Sequence, residues 1–519
     1  MKEFNITGTC VPHLHYMVDI SDKLKKIIKL VETGKYFVIS RPRQFGKTTV
    51  LSFLYRELSK RNDYLVLSLS FEGLGEEAFK DPETLSEAFL QQIIKSLKRD
   101  KVDPITTYIN DYPKIKKLNE LSLFISDLVM KTERKVVLFI DEVDRASNYN
   151  LFINFLGMLR SKYLNRADGT DHTFHSVVLA GLHDIKNIKL KIRPDSESQY
   201  NSPWNIATEF DVDMSFNPDE IATMLVDYEQ STLKIKLDTS LLSKEIYKYT
   251  NGYPFLVSKI CKVIEEKLDR NWTIEGIQKA VTITLEKSNT LFDDIIKNIE
   301  NRKDLYELLY AILIQGARID YNFSNPIIQI AEIYGITKKD EQNKLVINNI
   351  IFEIFLYNYL VSKLETSNLS LGNYNFRDNF IDSNGDLEIE KVLLKFQQFI
   401  KENYSEKDFD FYEKHGRLLL IAFIKPIING DGFYYVEAQT SYERRTDMVV
   451  IYNKKEYVLE FKVWYGEEYH TKGLKQLAGY LKSRGLNIGY LVIFNFNKNK
   501  EFTSDWKHID DKNIFEVFV

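Results

Sequence analysis

Apolar runs that end in polar turns recur through the first two hundred residues. Four such runs have the length and composition of strands, and helical patterns separate them; the runs are 35–40, 64–71, 134–141 and 177–181. A continuous apolar run is typical of a strand that is buried on both faces. Strands that alternate with helices favour a parallel, doubly wound sheet. The pattern therefore predicts an α/β core at the N-terminal end.

Helical patterns replace the strands from the Asn217-Pro218 dipeptide onward, which has the cap and proline typical of a helix start. These patterns continue to about residue 300. From 303 to 362 two helices precede a short strand at 344–347 and a further helix, an order compatible with a winged-helix module. Such a module contacts DNA or packs against a neighbouring domain, and packing is the favoured interpretation.

The C-terminal third returns to strands after a polar stretch, 365–386, that lacks periodicity and predicts a linker. The predicted elements after it are helices at 387–403 and 407–428, a strand at 433–437, a hairpin between 446 and 464, a helix at 470–484 and a strand at 488–494. The predicted domains are thus a core (1–215), a helical lid (216–302), a winged-helix-like module (303–364), the linker (365–386) and a C-terminal α/β domain (387–519).

Composition sets broad limits on function. A chain of 519 residues is too long for one ordinary core, and 44% hydrophobic with 28% charged residues is typical of a soluble globular protein. The net charge of −4 means that any nucleic-acid surface has to be a local patch. Cys10 and Cys261 lie far apart and indicate neither a disulfide framework nor a zinc site. No signal-peptide core or membrane-length apolar run is evident, so a cytoplasmic location is expected.

The first chemical motif follows the first strand and reads Arg41-Pro42-Arg43-Gln44-Phe45-Gly46-Lys47-Thr48-Thr49. A Gly-Lys-Thr turn between a strand and a helix predicts a phosphate-binding P-loop. Backbone N–H groups hold phosphate, Lys47 neutralises its charge and the Thr48 hydroxyl ligates Mg²⁺. One position departs from the usual pattern, because Arg41 stands where glycine is expected.

The second motif ends the third strand, where Asp141 and Glu142 follow an apolar run. In P-loop ATPases an aspartate at this place holds Mg²⁺, and a glutamate after it can orient the attacking water. An ordinary strand with solvated acids at its tip is the less favoured alternative, because both motifs occur in one chain. The sequence predicts an ATP-binding core. The later sequence Gly252-Tyr253-Pro254 is either a plain break between helices or, as favoured here, part of a lid against the nucleotide.

A third set of polar residues lies in the C-terminal hairpin. Glu460 and Lys462 are two residues apart on a strand and share a face, and Asp447 begins the partner strand. Two carboxylates beside an ammonium predict a Mg²⁺ site with a lysine that positions water or stabilises charge on a phosphodiester. On an exposed strand the same residues are a solvated face. Apolar residues at 459, 461 and 463 favour a core hairpin and a nuclease-like site.

Together these motifs resemble the bacterial AAA-like ATPases, related to STAND-type ATPases, that are fused to a C-terminal PD-(D/E)xK nuclease-superfamily domain. The resemblance covers nearly the whole chain and includes 16–19, the P-loop, the acidic strand, 180–185 and 202–207. Arginine at position 41 is typical of that group. The resemblance implies a P-loop ATPase at the N-terminal end and an α/β restriction-endonuclease-like domain at the C-terminal end.

The resemblance also implies roles for single residues. It assigns ATP binding to Arg43, Gly46, Lys47, Thr48, Thr49, Asp141 and Pro254. Thr48 and Asp141 would bind Mg²⁺, with Glu142 as the base. In the last domain it implies that Asp447 and Glu460 bind metal, with Lys462, the helix acid Glu413 and the Gln476–Tyr480 pair beside them. Arg160 and Arg193 are arginine-finger candidates.

Two functions of different classes follow. The favoured one is an ATP-regulated, Mg²⁺-dependent nuclease acting on DNA or RNA, in defence or mobile-element processing. Basic residues near the site suit phosphate contacts: Arg444, Arg445, Lys462, Lys472 and Lys475. The other is an ATP-dependent signalling or scaffold switch that oligomerises through its ATPase domain and whose last domain binds without cutting. A helicase-like motor is less favoured. Nearby aromatic residues stack bases or, as favoured, pack the core: Tyr434, Tyr435, Trp464 and Tyr465.

Overall fold

The computed structural model describes most of the chain. The described residues are 2–100, 102–146, 149–181, 204–232, 236–313, 317, 319–367, 380–403, 420–421, 423–424, 427–428, 432–435, 448–495, 497 and 500–519. The chain forms two compact units. The first contains Met1–Tyr247, Gly252–Ile277 and Ile333–Gly335, and the second contains Lys248–Asn251, Gln278–Glu332 and Ile336–Val519. The finer division into five domains remains a prediction.

A four-stranded parallel sheet lies at the centre of the first unit. Its strands are β1 (Tyr36–Ser40), β2 (Tyr64–Ser70), β3 (Lys135–Asp141) and β4 (Ser176–Gly181). They lie in the spatial order β1-β4-β3-β2, and each pairing is parallel. The predicted α/β sheet is therefore confirmed. A parallel bridge between Phe37 and Thr208 places the chain after residue 204 on the side of β1 opposite β4.

The first unit also contains helices before, between and after these strands. They are α1 (Ser21–Glu32), α2 (Lys47–Ser59), α3 (Pro82–Arg99), α4 (Asp103–Asn110), α5 (Leu118–Met130), α6 (Asn150–Ala167), α7 (Pro218–Thr232), α8 (Thr239–Thr250) and α9 (Pro254–Lys267). The predicted start of α7 is confirmed. The Glu220 N–H donates to Asn217 Oδ1 at 2.8 Å, and the Asn217 N–H donates to the Glu220 carboxylate at 2.9 Å. This reciprocal cap satisfies two N–H groups at the helix start.

Apolar side chains cover both faces of the sheet. In β3 every residue after Lys135 is buried, and all of β4 is buried. A polar side chain in the middle of such a strand would lose its water on either face. Polar residues that act on a ligand are therefore expected at the ends of the strands, where the loops begin.

The second unit begins with a small helical module. The boundary between the two units falls within α10 (Ile274–Glu286), after Ile277. This helix is followed by α11 (Thr290–Glu300), α12 (Lys303–Leu313), α13 (Pro326–Ile333), β5 (Thr337–Lys339), β6 (Leu345–Ile347) and α14 (Ile350–Ser367). β5 and β6 pair antiparallel, and Asp320 bridges to Lys344 beside them. The sequence predicted β6 but not β5, because a strand of Thr-Lys-Lys has no hydrophobic pattern.

A six-stranded mixed sheet follows in the same unit. Its strands are β7 (Gly432–Tyr435), β8 (Met448–Tyr452), β9 (Lys455–Val463), β10 (Ile488–Phe494), β11 (Ser504–Ile509) and β12 (Lys512–Phe518). They lie in the order β11-β12-β10-β9-β8-β7. Helices α15 (Ile389–Asn403) and α16 (Glu467–Arg484) pack on it. The sequence predicted neither β11 nor β12, and β11 is mostly exposed and polar.

The predicted hairpin is confirmed as β8 and β9, with a tighter turn than expected. Asn453 and Lys454 both have a positive φ, of 46° and 64°. Such a pair forms the two-residue turn whose twist matches antiparallel strands. Most of the predicted helix 407–428 lies outside the described residues. In the part of the chain that the structure describes, no helix is long and apolar enough to cross a membrane.

Gly252 provides a stability test of the first unit. Its φ is +69°, and a Cβ there would lie 1.9 Å from the carbonyl oxygen of Phe216. We expect Gly252→Ala to lower the free energy of unfolding by at least about 2 kcal/mol, because left-handed strain adds to backbone overlap. Thermal melting followed by circular dichroism measures the effect.

Gly157→Ala in α6 is the matched control, since a Cβ there meets nothing within 4 Å. Alanine is the better helix former, so this change should raise stability by about 0.5–1 kcal/mol. Equal losses of stability in Gly252→Ala and Gly157→Ala would contradict the close backbone approach at Gly252.

Candidate functional site

The predicted P-loop joins β1 to α2 at the carboxyl end of β1. The Arg41 N–H bonds to the Gly181 carbonyl of β4 at 3.2 Å, and α2 begins at Lys47. Gly46 precedes the helix with a φ of +80°, which glycine adopts without steric cost, and Gln44 has a φ of +57°. The first turn of α2 thus directs its N–H groups toward the loop, an arrangement that binds phosphate.

Lys47 is buried at the loop, where backbone carbonyls hold its ammonium group. Its Nζ donates to the carbonyl of Arg41 at 3.0 Å and to that of Pro42 at 2.9 Å. Burial lowers the pKa of Lys47 from its usual value, while the nearby carboxylates Asp144 and Glu142 oppose that shift. An ammonium has three N–H donors, so a third donor is available to an anionic ligand beside these two carbonyls.

Thr48 and Asp141 meet although 93 positions separate them. The Thr48 hydroxyl donates to Asp141 Oδ2 at 2.7 Å, and the Glu142 N–H donates to Asp141 Oδ1 at 2.9 Å. β4 lies between β1, which leads into the P-loop, and β3, which ends at Asp141, but parallel strands end at one edge of the sheet. The structure therefore brings together the predicted residues of the two motifs.

Glu142 follows β3 in a left-handed conformation, with a φ of 56°. A positive φ is uncommon for a non-glycine residue that is neither Asn nor Asp, and it costs conformational energy. Burial raises the pKa of Glu142, and the charges of Asp141 and Asp144 add to this while Lys47 opposes it. Gly181 makes room for the turn, because a Cβ there would lie 2.9 Å from Val143 Cγ2. The sequence offered one signal for this glycine, its position at the end of an apolar strand.

The Gly252-Tyr253-Pro254 turn contacts the P-loop within the first unit. The Tyr253 hydroxyl donates to the Arg43 carbonyl at 2.7 Å, and its ring packs edge to face on Phe45 with centroids 4.8 Å apart. Pro254 is buried at the start of α9. This contact favours the lid interpretation over a plain break between helices. The contact residue is Tyr253, which sequence reasoning missed; the role of Pro254 remains a prediction.

The other residues predicted around the nucleotide lie as follows. Thr49 Oγ1 accepts the Cys10 N–H at 3.1 Å, so the N-terminal segment reaches α2 beside the loop. The Arg43 side chain is exposed. Arg160 is half-buried on α6, and Arg193 lies outside the described residues. The arginine finger stays unassigned.

Glu460 and Lys462 of β9 lie side by side, as their spacing predicts. Lys462 Nζ lies 2.7 Å from Glu460 Oε1 and donates to Gln476 Oε1 of α16 at 3.3 Å. Glu460 is 1% exposed. Gly473 packs against this lysine, since a Cβ at position 473 would lie 3.3 Å from Lys462 Cγ. Sequence reasoning missed this glycine. A glycine one turn before Gln476 therefore lets the lysine pass between strand and helix.

Four residues of the predicted nuclease site lie outside the described residues: Glu413, Arg444, Arg445 and Asp447. β8 is described from Met448, whose partner on β9 is Leu459, the neighbour of Glu460. The pairing of Asp447 with Glu460 remains a prediction.

Three of the four aromatic residues near this site have described side chains or contacts. Tyr434 is buried and Trp464 packs on Phe518 with centroids 5.3 Å apart, as expected for core residues. The expectation is wrong for Tyr465, which is 68% exposed. Lys472 and Lys475 are exposed on α16. Tyr480, which was paired with Gln476 on one helix face, is buried.

The sequence profile of the AAA-like domain family matches residues 16–355, more than half of the chain. The chain therefore belongs to the AAA-like domain family, which confirms the P-loop ATPase part of the resemblance. The match ends before the six-stranded sheet. The nuclease part of the resemblance lies outside this match and remains a prediction.

Individual relatives are distant. An uncharacterized WD repeat-containing protein of Synechocystis sp. is 22% identical over 249 residues, which is 47% of this chain and 20% of that protein. The chain thus spans about a fifth of the length of this curated relative.

Solved structures with similar folds are also distant in sequence. The Walker-type ATPase of Pyrococcus abyssi is 12% identical with a TM-score of 0.47, covering 68% of this chain and 99% of that one. The Aeropyrum pernix ORC2 protein is 13% identical with a TM-score of 0.35, covering 66% and 91%. The ORC1 protein of the same organism, solved with DNA, is 12% identical with a TM-score of 0.31, covering 66% and 93%. Similarity at this level carries no inference about activity.

The raised pKa of Glu142 makes a pH-dependent stability prediction. The pKa of Glu142 is higher in the folded protein than in the unfolded chain. Ionising Glu142 therefore lowers the free energy of unfolding, and this loss develops as pH rises from the unfolded pKa through the folded pKa. Glu142→Gln removes that loss. We expect its melting temperature to exceed that of the unmodified protein by an amount that grows across this acidic range and is constant above it.

Glu133→Gln, an exposed residue before β3, serves as control and should shift melting little at any pH. Melting curves between pH 4 and 8 check the result. A Glu142→Gln effect that does not change with pH would show that the carboxyl is not destabilised by burial.

Proposed function

We propose that the first unit binds ATP with Mg²⁺ at the P-loop and hydrolyses it. The observation that carries the proposal is the convergence of Lys47, Thr48 and Asp141 at the carboxyl ends of β1 and β3. The ammonium and the N–H groups of α2 supply positive charge for phosphates. Membership of the AAA-like family supports the same conclusion.

The donor set at this point fits Mg²⁺. Thr48 Oγ1 and Asp141 Oδ2 lie 2.7 Å apart, and hydroxyl and carboxylate oxygens are ligands that this cation accepts. The described residues hold no cluster of three or more His, Cys, Asp and Glu side chains arranged for a metal ion. A cation with two protein ligands suits this arrangement, because Mg²⁺ usually keeps several waters and takes phosphate oxygens. Bound there, it would neutralise charge on the phosphates.

Glu142 is the proposed general base. The pKa of Glu142 is raised toward neutral pH, and a general base is most efficient when its pKa lies near the pH at which the enzyme works. The Glu142 N–H bond to Asp141 Oδ1 fixes its backbone beside the proposed Mg²⁺ ligand. Lys47 would stabilise negative charge on the transferred phosphoryl oxygens.

For the second unit we propose a Mg²⁺-dependent nuclease site that acts on nucleic acid under control of the ATP-bound state. Support comes from Glu460, which is buried and paired with Lys462 at 2.7 Å, and from Gln476, which holds the same ammonium. The ammonium would stabilise charge on a phosphodiester or orient water. The second carboxylate in this proposal is Asp447. Which nucleic acid is cut, and whether defence or mobile-element processing is served, belong to the same proposal.

ATP binding is tested with Lys47→Met, which keeps the side-chain volume and removes the charge. We expect ATP affinity to fall about 10- to 100-fold, since charge-assisted hydrogen bonds to phosphate are lost. Lys162→Met is the matched control: Lys162 is also buried in the first unit, and its Nζ pairs with Asp171 at 2.8 Å. Calorimetric titration with Mg-ATP measures both. Equal losses of affinity in the two variants would contradict a phosphate-binding Lys47.

Hydrolysis is tested with Glu142→Gln. We expect ATP binding within about twofold of the unmodified protein and turnover reduced about 100- to 10,000-fold, the usual contribution of a general base. Phosphate release measures turnover. Full turnover in this variant would remove Glu142 from the mechanism and leave the binding proposal intact.

Nuclease action is tested with Glu460→Gln and Lys462→Met on plasmid, linear and single-stranded DNA and on RNA, with Mg²⁺ or Mn²⁺ and with or without ATP. We expect cleavage to fall at least about 100-fold in both variants, because metal binding and charge stabilisation are lost. Lys47→Met should change the response to ATP.

Glu516→Gln is the matched control for the nuclease test. Glu516 is a buried carboxylate on β12 of the same sheet, and its Oε2 lies 2.8 Å from His470 Nε2. Cleavage should survive in this variant. Absence of cleavage by the unmodified protein, with ATP still bound, would favour the switch, in which the Glu460–Lys462 pair only stabilises the fold.

A further inference from the structure

Arg41 stands where most P-loops have glycine, and the structure shows where its side chain goes. Arg41 is not among the residues with a positive φ, so the backbone does not require glycine here. Its guanidinium donates to the carbonyl of Val212 at 2.8 Å, to that of Phe210 at 3.4 Å and to that of Ser40 at 2.8 Å. The side chain therefore extends from the loop to the chain segment 208–216, which leads into α7.

This 208–216 segment is itself fastened to β1. The Thr208 N–H donates to the Tyr36 carbonyl at 2.8 Å, and the rings of Phe210 and Phe37 stack with centroids 5.8 Å apart. The Arg41 guanidinium lies over the Phe210 ring at 5.1 Å. Burial lowers the pKa of Arg41, and the charges of Asp213 and Asp211 oppose this shift. The segment thus supplies two carbonyls, an aromatic face and negative charge to one guanidinium.

The other end of the segment reaches the turn before α9. The Phe216 N–H donates to the Gly252 carbonyl at 2.8 Å. The next residue, Tyr253, donates from its hydroxyl to the Arg43 carbonyl at 2.7 Å. The contacts therefore close a path that leaves the P-loop at Arg41, follows the segment to Gly252 and Tyr253, and returns to the P-loop at Arg43.

We propose that Arg41 and Tyr253 are positioning residues for the nucleotide, and that this closed path, the P-loop clamp, fixes the loop before ATP arrives. The proposal rests on the proposed ATP binding. In a trans peptide the carbonyl and the following N–H point in opposite directions. A donor on the Arg43 carbonyl therefore sets the direction of the Gln44 N–H, one of the loop groups that can meet phosphate. Arg41 holds the other end of the same loop.

Preorganisation is the physical effect of the clamp. Three successive loop carbonyls have side-chain donors, with Lys47 on Arg41 and Pro42 and Tyr253 on Arg43. A loop fixed in this way loses less conformational freedom when the ligand binds, so affinity rises. Because the path is closed, a break at either residue releases it, and a second break adds little.

The test uses Arg41→Met, Tyr253→Phe and the double variant in the full-length protein, with Mg-ATP titration and thermal melting. We expect each single variant to weaken ATP binding about 10-fold. Arg41→Met removes hydrogen bonds from a charged group, and Tyr253→Phe removes a hydrogen bond that orders the loop. The double variant should stay near the single ones and well short of the roughly 100-fold product of independent effects.

Two matched controls separate positioning from general stability. Arg166 donates to the backbone carbonyls of Phe174, His175 and Gly34, before the amino ends of β1 and β4, so Arg166→Met removes similar bonds away from the loop. The Tyr228 hydroxyl bonds to Glu265 in the same unit, and Tyr228→Phe matches Tyr253→Phe. Both controls should lower the melting temperature and leave ATP affinity within about twofold, because neither touches the P-loop.

The clamp is overturned if Arg41→Met weakens ATP binding no more than Arg166→Met does, or if the two single effects multiply in the double variant. If Arg41→Met does not fold, Tyr253→Phe against Tyr228→Phe still decides, since each deletes one oxygen atom. Failure of the proposed function would give a different result. In that case the unmodified protein would not bind ATP, or Lys47→Met would bind ATP as tightly as the unmodified protein does.

Discussion

The burial of the parallel sheet on both faces is the constraint on which the first unit depends. β3 and β4 carry apolar side chains into two helical layers, so polar groups are admitted only where the strands end. All four strands end at one edge. Residues that are far apart in the chain, such as Thr48 and Asp141, are therefore brought within hydrogen-bond distance there. The position of the proposed nucleotide site follows from this rule of burial.

Lys47 in the first unit and Lys462 in the second both have partners, but the partners differ in charge. Lys47 is held by neutral carbonyls, so its positive charge is left for an anionic ligand. Lys462 lies against the carboxylate of Glu460, so much of its charge is already compensated. The first arrangement suits phosphate binding by the lysine itself. The second is the ion pair on which the proposed nuclease site rests.

Local patterns predicted the elements whose cause is local. The P-loop turn, the acidic end of β3, the start of α7 and the β8–β9 hairpin were all foreseen, because turn chemistry and periodicity act over a few residues. β5 and β11 were missed, since polar strands have no hydrophobic pattern and exist through pairing with a neighbour. The roles of Gly181 and Gly473 were missed for a related reason: each makes room for a side chain or turn that is remote in sequence.

The sequence by itself determined the class of the core and the residue types at its edge. The Gly46-Lys47-Thr48 turn and Asp141 follow apolar strands, and local patterns show where such strands end. The tertiary structure alone decided what Arg41 and Tyr253 do. Both bind backbone carbonyls, and every residue presents the same carbonyl whatever its side chain. No sequence pattern can therefore show which carbonyl such a donor will meet. Only the folded chain brings Val212 to Arg41 and Arg43 to Tyr253.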